Sequence, residues 1–526
     1  SGHICSRRSA VTTTSCRPPV DSACGLAVGA ARGEPLPPRA LALLGIDLPV
    51  SMDFPRFLQG LEVTRGLLAG RSAEQLLDLP STSEEEVLAA TRVFVAIAST
   101  AYLVNPLLSL HIYTEMFNLC LKHGLSEFAP FAFAVFGLIH SAVLGDLDTG
   151  YAYGKAALEL SRRFPSPRVG ARANVQVGLF TQHWKEPLVR SLPLFVDAVA
   201  SGLEGGDLEY VGYAAIGIAQ YALFAGKPLD ECIQEDERLL DLLRRSGLTF
   251  AVEAVGVCQE AARNLVRSGG DPTLIEGPGF RESVNVAALV EAKNHSVLSL
   301  FHVLKVTLLY IFDDPAGAAA LAEKGEALIS AQLGQFSGVL LNFLQSLSLI
   351  SLAAEAPADE REAMLAKVEK NQETMKRWAE SAPANNHHRY QLVEAERARV
   401  RGDVPVALSL YEEAVSAASR SGFTHEAAIA QELTAEFYLS LGRERAGRAT
   451  LAEASYSYAH WGATAKVEQL AQRYPFLDRR GPADQPESAA ITSTRKDGGT
   501  LIDLQTVLKA AAVISGEIVL DKLLDK

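Results

Sequence analysis

The 526-residue sequence has few of the patterns that enzymes and metal proteins carry in recognisable form. It contains no GxSxG, HExxH, HRD…N or DFG and no glycine-rich ATP-lid boxes, so nucleophile-elbow, zinc-helix and kinase frames find no support. Its six cysteines never take CxxC spacing, which argues against a zinc ribbon or a disulfide scaffold. Basic charge is scarce: 49 Lys and Arg against 62 Asp and Glu give a net charge of −13, and this excludes nucleic-acid binding through a general basic surface. Methionine occurs four times and not at residue 1. Runs of Val, Ile and Thr in strict alternation are missing, which removes the β-strand signature.

No long apolar run passes for a membrane span. FAPFAFAVFGLIHSAVL (128–144) holds an early proline and a histidine, and FSGVLLNFLQSLSLISLAA (336–354) holds Asn342, Gln345 and several serines. Both read as helices buried by neighbouring helices, and no membrane span is expected. Cys120, Cys232 and Cys258 lie far apart in apolar helical stretches and read as buried free thiols of a reducing, cytoplasmic compartment. Cys5, Cys16 and Cys24 belong to residues 1–39, a Ser-, Thr-, Pro- and Arg-rich stretch read as a disordered or atypical lead-in.

What the sequence does have is helix. From 40 to 477, apolar residues recur at steps of three and four, as in LDECIQEDERLLDLLRRSG (229–247), and Ala and Leu dominate. Turn-forming spots punctuate the chain, among them Gly70, Gly145-Asp146, Gly226, Gly402-Asp403 and Gly442-Arg443. From the first to the last, 372 residues fall into nine intervals of about 41. That is the period of a two-helix repeat. AERARVRGDVPVALSLYEEAVSAASRSGF (395–423) and SAVLGDLDTGYAYGKAALELSRRF (141–164) share one grammar: a helix, a Gly-Asp turn, then Ala and Tyr at helical spacing. The expected fold is all-α, with TPR-like two-helix repeats stacked in a right-handed superhelical solenoid whose concave face is open to a protein or peptide. Residues 478–500 read as a flexible linker. LIDLQTVLKAAAVISGEIVLDKLL (501–524) reads either as a closing amphipathic helix or as a signalling helix leading onward.

Three polar segments invite chemistry. Gly150-Tyr-Ala-Tyr-Gly154-Lys155-Ala156 is one residue short of a phosphate loop and has Ala156 where the hydroxyl belongs. Asn385-Asn386-His387-His388-Arg389-Tyr390 is the densest cluster; adjacent histidines on a helix diverge by about 100° and do not share a metal. Asn385 or Asn386 reads there as a helix N-cap. In His183-Trp184-Lys185-Glu186-Pro187, Trp184 reads as a packing anchor and Lys185 with Glu186 as a surface pair. No catalytic residue, cofactor site or metal site is assigned. The non-scaffold alternative is an enzyme with an unfamiliar site near His183 or His387-His388.

Three stretches carry a family resemblance. They are His425-Glu426-Ala-Ala-Ile-Ala-Gln-Glu432 with Glu436 to Arg443; Tyr458-Ala-His-Trp461-Gly462-Ala463-Thr-Ala465-Lys466-Val467 with Tyr474-Pro475; and His183 to Pro187 with Gly205-Gly206-Asp207-Leu-Glu209-Tyr210. Together these resemble the helical-repeat region of large bacterial multidomain signalling ATPases. In that family a serine/threonine-kinase-like domain and a STAND/AAA-type NTPase precede the repeats, and a GAF domain and commonly a sensor histidine kinase follow. The resemblance implies a non-enzymatic regulatory scaffold that works with fused NTPase and kinase domains. It also implies that 501–526 leads toward a GAF domain and that the chain is an internal piece of a longer protein. A free-standing peptide-binding adaptor is the alternative.

Overall fold

Glycine ends the helices at nearly constant steps. In a computed structural model, which describes residues 49, 52–328 and 333–477, the backbone is left-handed at Gly402, Gly422, Gly442 and Gly462. These glycines are spaced 20 apart, so a helix and its cap take half of the expected period. At Gly402 the amide bonds back to Arg399 O at 3.0 Å and the Asp403 amide to Ala398 O at 3.0 Å, the Schellman closure that a residue lacking Cβ adopts without strain. The same pair of bonds closes helices at Gly206, Gly226, Gly247, Gly422 and Gly442.

Twenty α-helices result among the described residues: α1 (Phe54–Leu68), α2 (Glu85–Val104), α3 (Pro106–His123), α4 (Ala129–Leu138), α5 (Leu147–Arg163), α6 (Pro167–Phe180), α7 (Ser191–Glu204), α8 (Leu208–Phe224), α9 (Leu229–Arg245) and α10 (Thr249–Val266). After a loop follow α11 (Glu282–Glu291), α12 (His295–Ile311), α13 (Pro315–Leu328), α14 (Ser337–Ala353), α15 (Ala358–Ser381), α16 (Pro383–Arg401), α17 (Val404–Arg420), α18 (Thr424–Ser440), α19 (Glu444–Trp461) and α20 (Thr464–Arg473). No β-strand occurs among the described residues; two isolated bridges join Ser81 to Leu125 and Glu276 to Arg281.

Apart from α1 with α2 and α10 with α11, each helix packs against the next, and from α4 to α16 each even-numbered helix also packs against the next even-numbered one. The even helices therefore form an inner row and the odd ones an outer layer. Both apolar runs of the sequence belong to the inner row. In α4, Phe131 to Val135 are wholly buried, and Phe117 stacks on Phe136 at 3.9 Å beneath Tyr153. In α14, Gln345 Oε1 accepts at 2.9 Å from the side-chain amide of Asn371 on α15, which explains polar residues inside a buried helix. No described helix is long and apolar enough to cross a membrane.

The inner row closes back on itself. The Asn385 side chain of α16 donates to His183 O at 2.7 Å and to Glu186 O at 2.8 Å, and accepts from the Leu188 amide at 2.9 Å. Trp461 Nε1 donates to Lys227 O at 3.0 Å, and Thr464 Oγ1 to Val266 O at 2.6 Å. Segments about 200 residues apart in sequence are thus in contact all along one side. The near-miss phosphate loop lies within α5, and its glycines serve packing: a Cβ at Gly150 would stand 1.9 Å from Ser141 Oγ, and one at Gly154 would stand 2.4 Å from Thr181 Oγ1. Cys120, Cys232 and Cys258 are buried and unpaired; burial pushes the thiols of Cys120 and Cys232 up to about 12. The readings on residues 1–39, 478–500 and 501–526 lie outside the described residues.

Candidate functional site: a sealed ion lock and a rim network

The closure brings the quoted polar segments to two places. The first is centred on Glu426, in the first turn of α18. Arg389 donates to Glu426 Oε1 through Nη2 at 2.7 Å and Nε at 3.1 Å, and His388 Nε2 lies 2.5 Å from Glu426 Oε2. Arg389 has no solvent exposure, and its guanidinium lies between the rings of Phe336 at 4.9 Å and Phe423 at 4.7 Å. Such stacking suits a weakly hydrated, planar cation. Burial alone would raise the Glu426 carboxyl; Arg389, with the bond from His388, outweighs it and holds the group down to about 2. Burial lowers His388 despite that bond, so it stays neutral and donates through Nε2–H.

His425 completes this lock against the opposite wall. Burial lowers it to about 4, with Glu426 opposing. It faces Gly226, where a Cβ would stand 2.3 Å from His425 Nδ1, and its ring lies 5.0 Å from Trp461. His183 is fully buried and lowered by burial to about 3. It rests on Trp184, Tyr221 and Phe336. Trp184 packs 5.8 Å from Trp378 of α15, so it anchors helices from two distant parts of the chain.

The second place lies toward the C-terminal edge. Lys466, 1% exposed, reaches Glu432 Oε1 at 2.8 Å and Asp313 Oδ1 at 3.6 Å. Tyr458 donates to Glu432 Oε2 at 2.8 Å. Arg473 links Asp313 at 3.4 Å to Glu436 at 3.0 Å. This network ties α18, α19 and α20 to the turn between α12 and α13. Gly462, φ 99°, ends α19 and packs against Leu229, which lets α20 turn into place.

Two sequence readings are corrected. Lys185 and Glu186 do not pair with each other: Lys185 Nζ meets Asp148 at 2.5 Å and Glu186 accepts from Tyr151 OH at 2.5 Å, because the tight turn ending in Pro187 sends the two side chains to different parts of α5. Asn385 and Asn386 are not N-caps. Ala382 occupies that position, Pro383 starts the helix, and both amides point inward. Sequence reasoning assigned no role to Arg389, Glu432 or Tyr458. Their signal was present in a general form: charged and phenolic residues on helices with no polar face.

The space beside His425 and Glu426 is about 30 Å³, walled by Leu223, Phe224, Leu265, Leu308, Phe343 and Ile429. At about 10–15 Å³ per water, it has room for a couple of water molecules. Among the described residues no group of three or more His, Cys, Asp or Glu could hold a metal ion.

No protein-family profile matches the chain. Over 146 residues, 27% of its length, it is 27% identical to a hybrid signal transduction histidine kinase G of Dictyostelium discoideum; the match spans 4% of that much longer protein.

Proposed function

We propose that this chain is a non-catalytic, TPR-like helical-repeat module of a signal-transduction protein, one that binds protein partners and biases fused NTPase and histidine kinase domains. The observation that carries the reading is the closure through Asn385, Trp461 and Thr464, which makes helices about 200 residues apart a single mechanical body. A load at one end of such a body reaches the other without local melting. A partner shifts the output only by preferring one state of that body. The likeness to a hybrid histidine kinase supports the signalling context. Partners belong on the outer layer and at the ends. An extended peptide laid along the inner row at α16 would have to displace Asn385 and Arg389, both wholly buried.

The test is calorimetric titration of the purified chain with Mg-ATP, together with incubation in γ-labelled ATP. We expect no binding and no label transfer; stoichiometric ATP binding overturns the scaffold reading. Sequencing the full-length transcript should find NTPase or kinase motifs in the same frame. Their absence there would leave a free-standing adaptor.

A further inference from the structure

The outer layer is not uniform. α9 shows water a charged surface that includes Asp230, Glu231, Glu237, Arg238 and Asp241, as an outer helix should. α7, two helices earlier, reads SLPLFVDAVASGLE and carries charge only at Asp197 and Glu204. One side of it is used by the fold: Phe195, Ala198 and Gly202 are buried, with Phe195 against Gly178 and Gly202 against Val211. The other side is also apolar and lies in water. Val189, in the turn before the helix, is 41% exposed, Val196 54% and Leu203 44%, and Pro193 and Ala200 between them are exposed too. The five positions step by 4, 3, 4 and 3, the spacing that keeps a straight seam on one side of a helix.

We propose that this seam is a self-association face on which a second copy of the chain lies antiparallel. The charges at its ends argue for that occupant. Arg190 stands at the first end and Glu204 at the last, both exposed, and neither takes part in an ion pair among the described residues. A two-fold axis through Val196 sets Val189 against Leu203 of the second copy and Pro193 against Ala200. It brings Arg190 to the second copy's Glu204, and the symmetry makes that ion pair twice. A parallel copy would instead oppose Arg190 to Arg190 and Glu204 to Glu204. Small residues at 193 and 200 let the helix axes approach. Asp197 meets its own counterpart beside the axis, which subtracts from the contact. The seam offers five apolar positions along one helix, well short of the ~1,200 Å² of stable complexes, so the association is weak and reversible.

Sedimentation velocity of the full chain from about 2 to about 200 µM reads this directly, a range chosen to bracket a micromolar dissociation constant. We expect a monomer–dimer equilibrium with its midpoint in the tens of micromolar. V196E places two carboxylates on the axis and should leave only monomer, with an unchanged helical circular dichroism spectrum and melting temperature because the site is exposed. R190E and E204R should each weaken the dimer roughly tenfold, since each turns two attractive surface pairs repulsive. An equimolar mixture of these two variants should restore wild-type association, because every pair between them is again opposite in sign; in a parallel seam neither variant alone would weaken the dimer and the mixture would bind more tightly than the wild type. A monomer at every concentration, undiminished dimer in V196E, or a mixture no stronger than its components would each overturn the proposal.

Discussion

The lock at Glu426 and the network at Lys466 use the same residue types and differ in their access to water. In the lock, Arg389, His388 and Glu426 are all 3% exposed or less. In the rim network Lys466 is equally buried, but Asp313 is 40% exposed, Arg473 48% and Glu436 33%. The lock holds one cation and one anion, with its histidines neutral. The rim holds Asp313, Glu432 and Glu436 against Lys466 and Arg473, an excess of one negative charge. A sealed site has to balance its charge, whereas a site at the edge can leave part of its field to solvent. The carboxyls follow: Glu426 is held down to about 2, while Glu436 is raised, first by burial and then by Glu432.

Acid should therefore act on the two regions in opposite directions, and this is the largest expected effect. His183 and His425 fall to about 3 and about 4 in the folded chain, from an ordinary 6.5. A histidine with a lowered folded value contributes stability above 6.5 and loses it as pH falls toward the folded value, because the unfolded chain takes up the proton first. At ~1.4 kcal/mol per pH unit, the full loss is on the order of 5 kcal/mol for His183 and about 3–4 kcal/mol for His425. Glu426 adds a further loss from about 4.5 downward. Glu436 runs the other way: its raised value favours the fold below 4.5, and that contribution fades as pH rises through the folded value. Thermal melts should drop steeply between pH 6.5 and 4, and H425Q should flatten that slope. A melting temperature constant to pH 4 would break the contrast.

Next in size is the neutral substitution E426Q. It leaves Arg389 charged and fully buried without a counter-ion, at a cost of about 3–5 kcal/mol. Urea denaturation at pH 7 reads it, and a loss below about 1 kcal/mol would show that water reaches the lock.

Much of this architecture was legible. The glycine turns and the interval of about 41 residues gave the helix pairs, because a left-handed cap favours glycine and helix length sets the step. The buried readings of 128–144 and 336–354 rest on apolar runs broken by a few polar residues, and the two helices are buried as expected. The two polar knots were not legible. The partners Asn385 and His183 are 202 residues apart, and nothing local to either says how the row of helices curves. α18 made this harder: His425, Glu426 and Glu432 face three different neighbours, so the helix has no polar side for periodicity to find. Lys185 and Glu186 misled for the reverse reason, since adjacency in sequence suggested a pair that a tight turn separates.

The rim should tolerate more than the lock. K466M removes the cation from Glu432, but Tyr458 still donates to that carboxylate and Arg473 still holds Asp313. The loss expected is about 2 kcal/mol, roughly the penalty for one imperfectly satisfied buried charge. It should be accompanied by faster hydrogen exchange in α20 and not in α16. Equal exchange in both helices would mean that the rim and the lock open together.

The smallest effect tests the rule that ends the helices. Lys293 and Asp313 are left-handed, φ 53° and 66°, without being glycine. Both make the closure seen at Gly402: the Asn294 amide bonds to Leu289 O at 2.9 Å, and the Asp314 amide to Leu309 O at 2.9 Å. An L side chain in this region costs about 1 kcal/mol. At Lys293 it has no compensation in the form of an ion pair among the described residues. At Asp313 the side chain holds Lys466 and Arg473. K293G should therefore stabilise the chain by up to about 1 kcal/mol, offset in part by the added freedom of the unfolded glycine. D313G relieves the same strain but releases two cations, one of them buried, and should destabilise. If both substitutions moved the melting temperature in the same direction, Asp313 would be only a strained cap and the rim network would not depend on it.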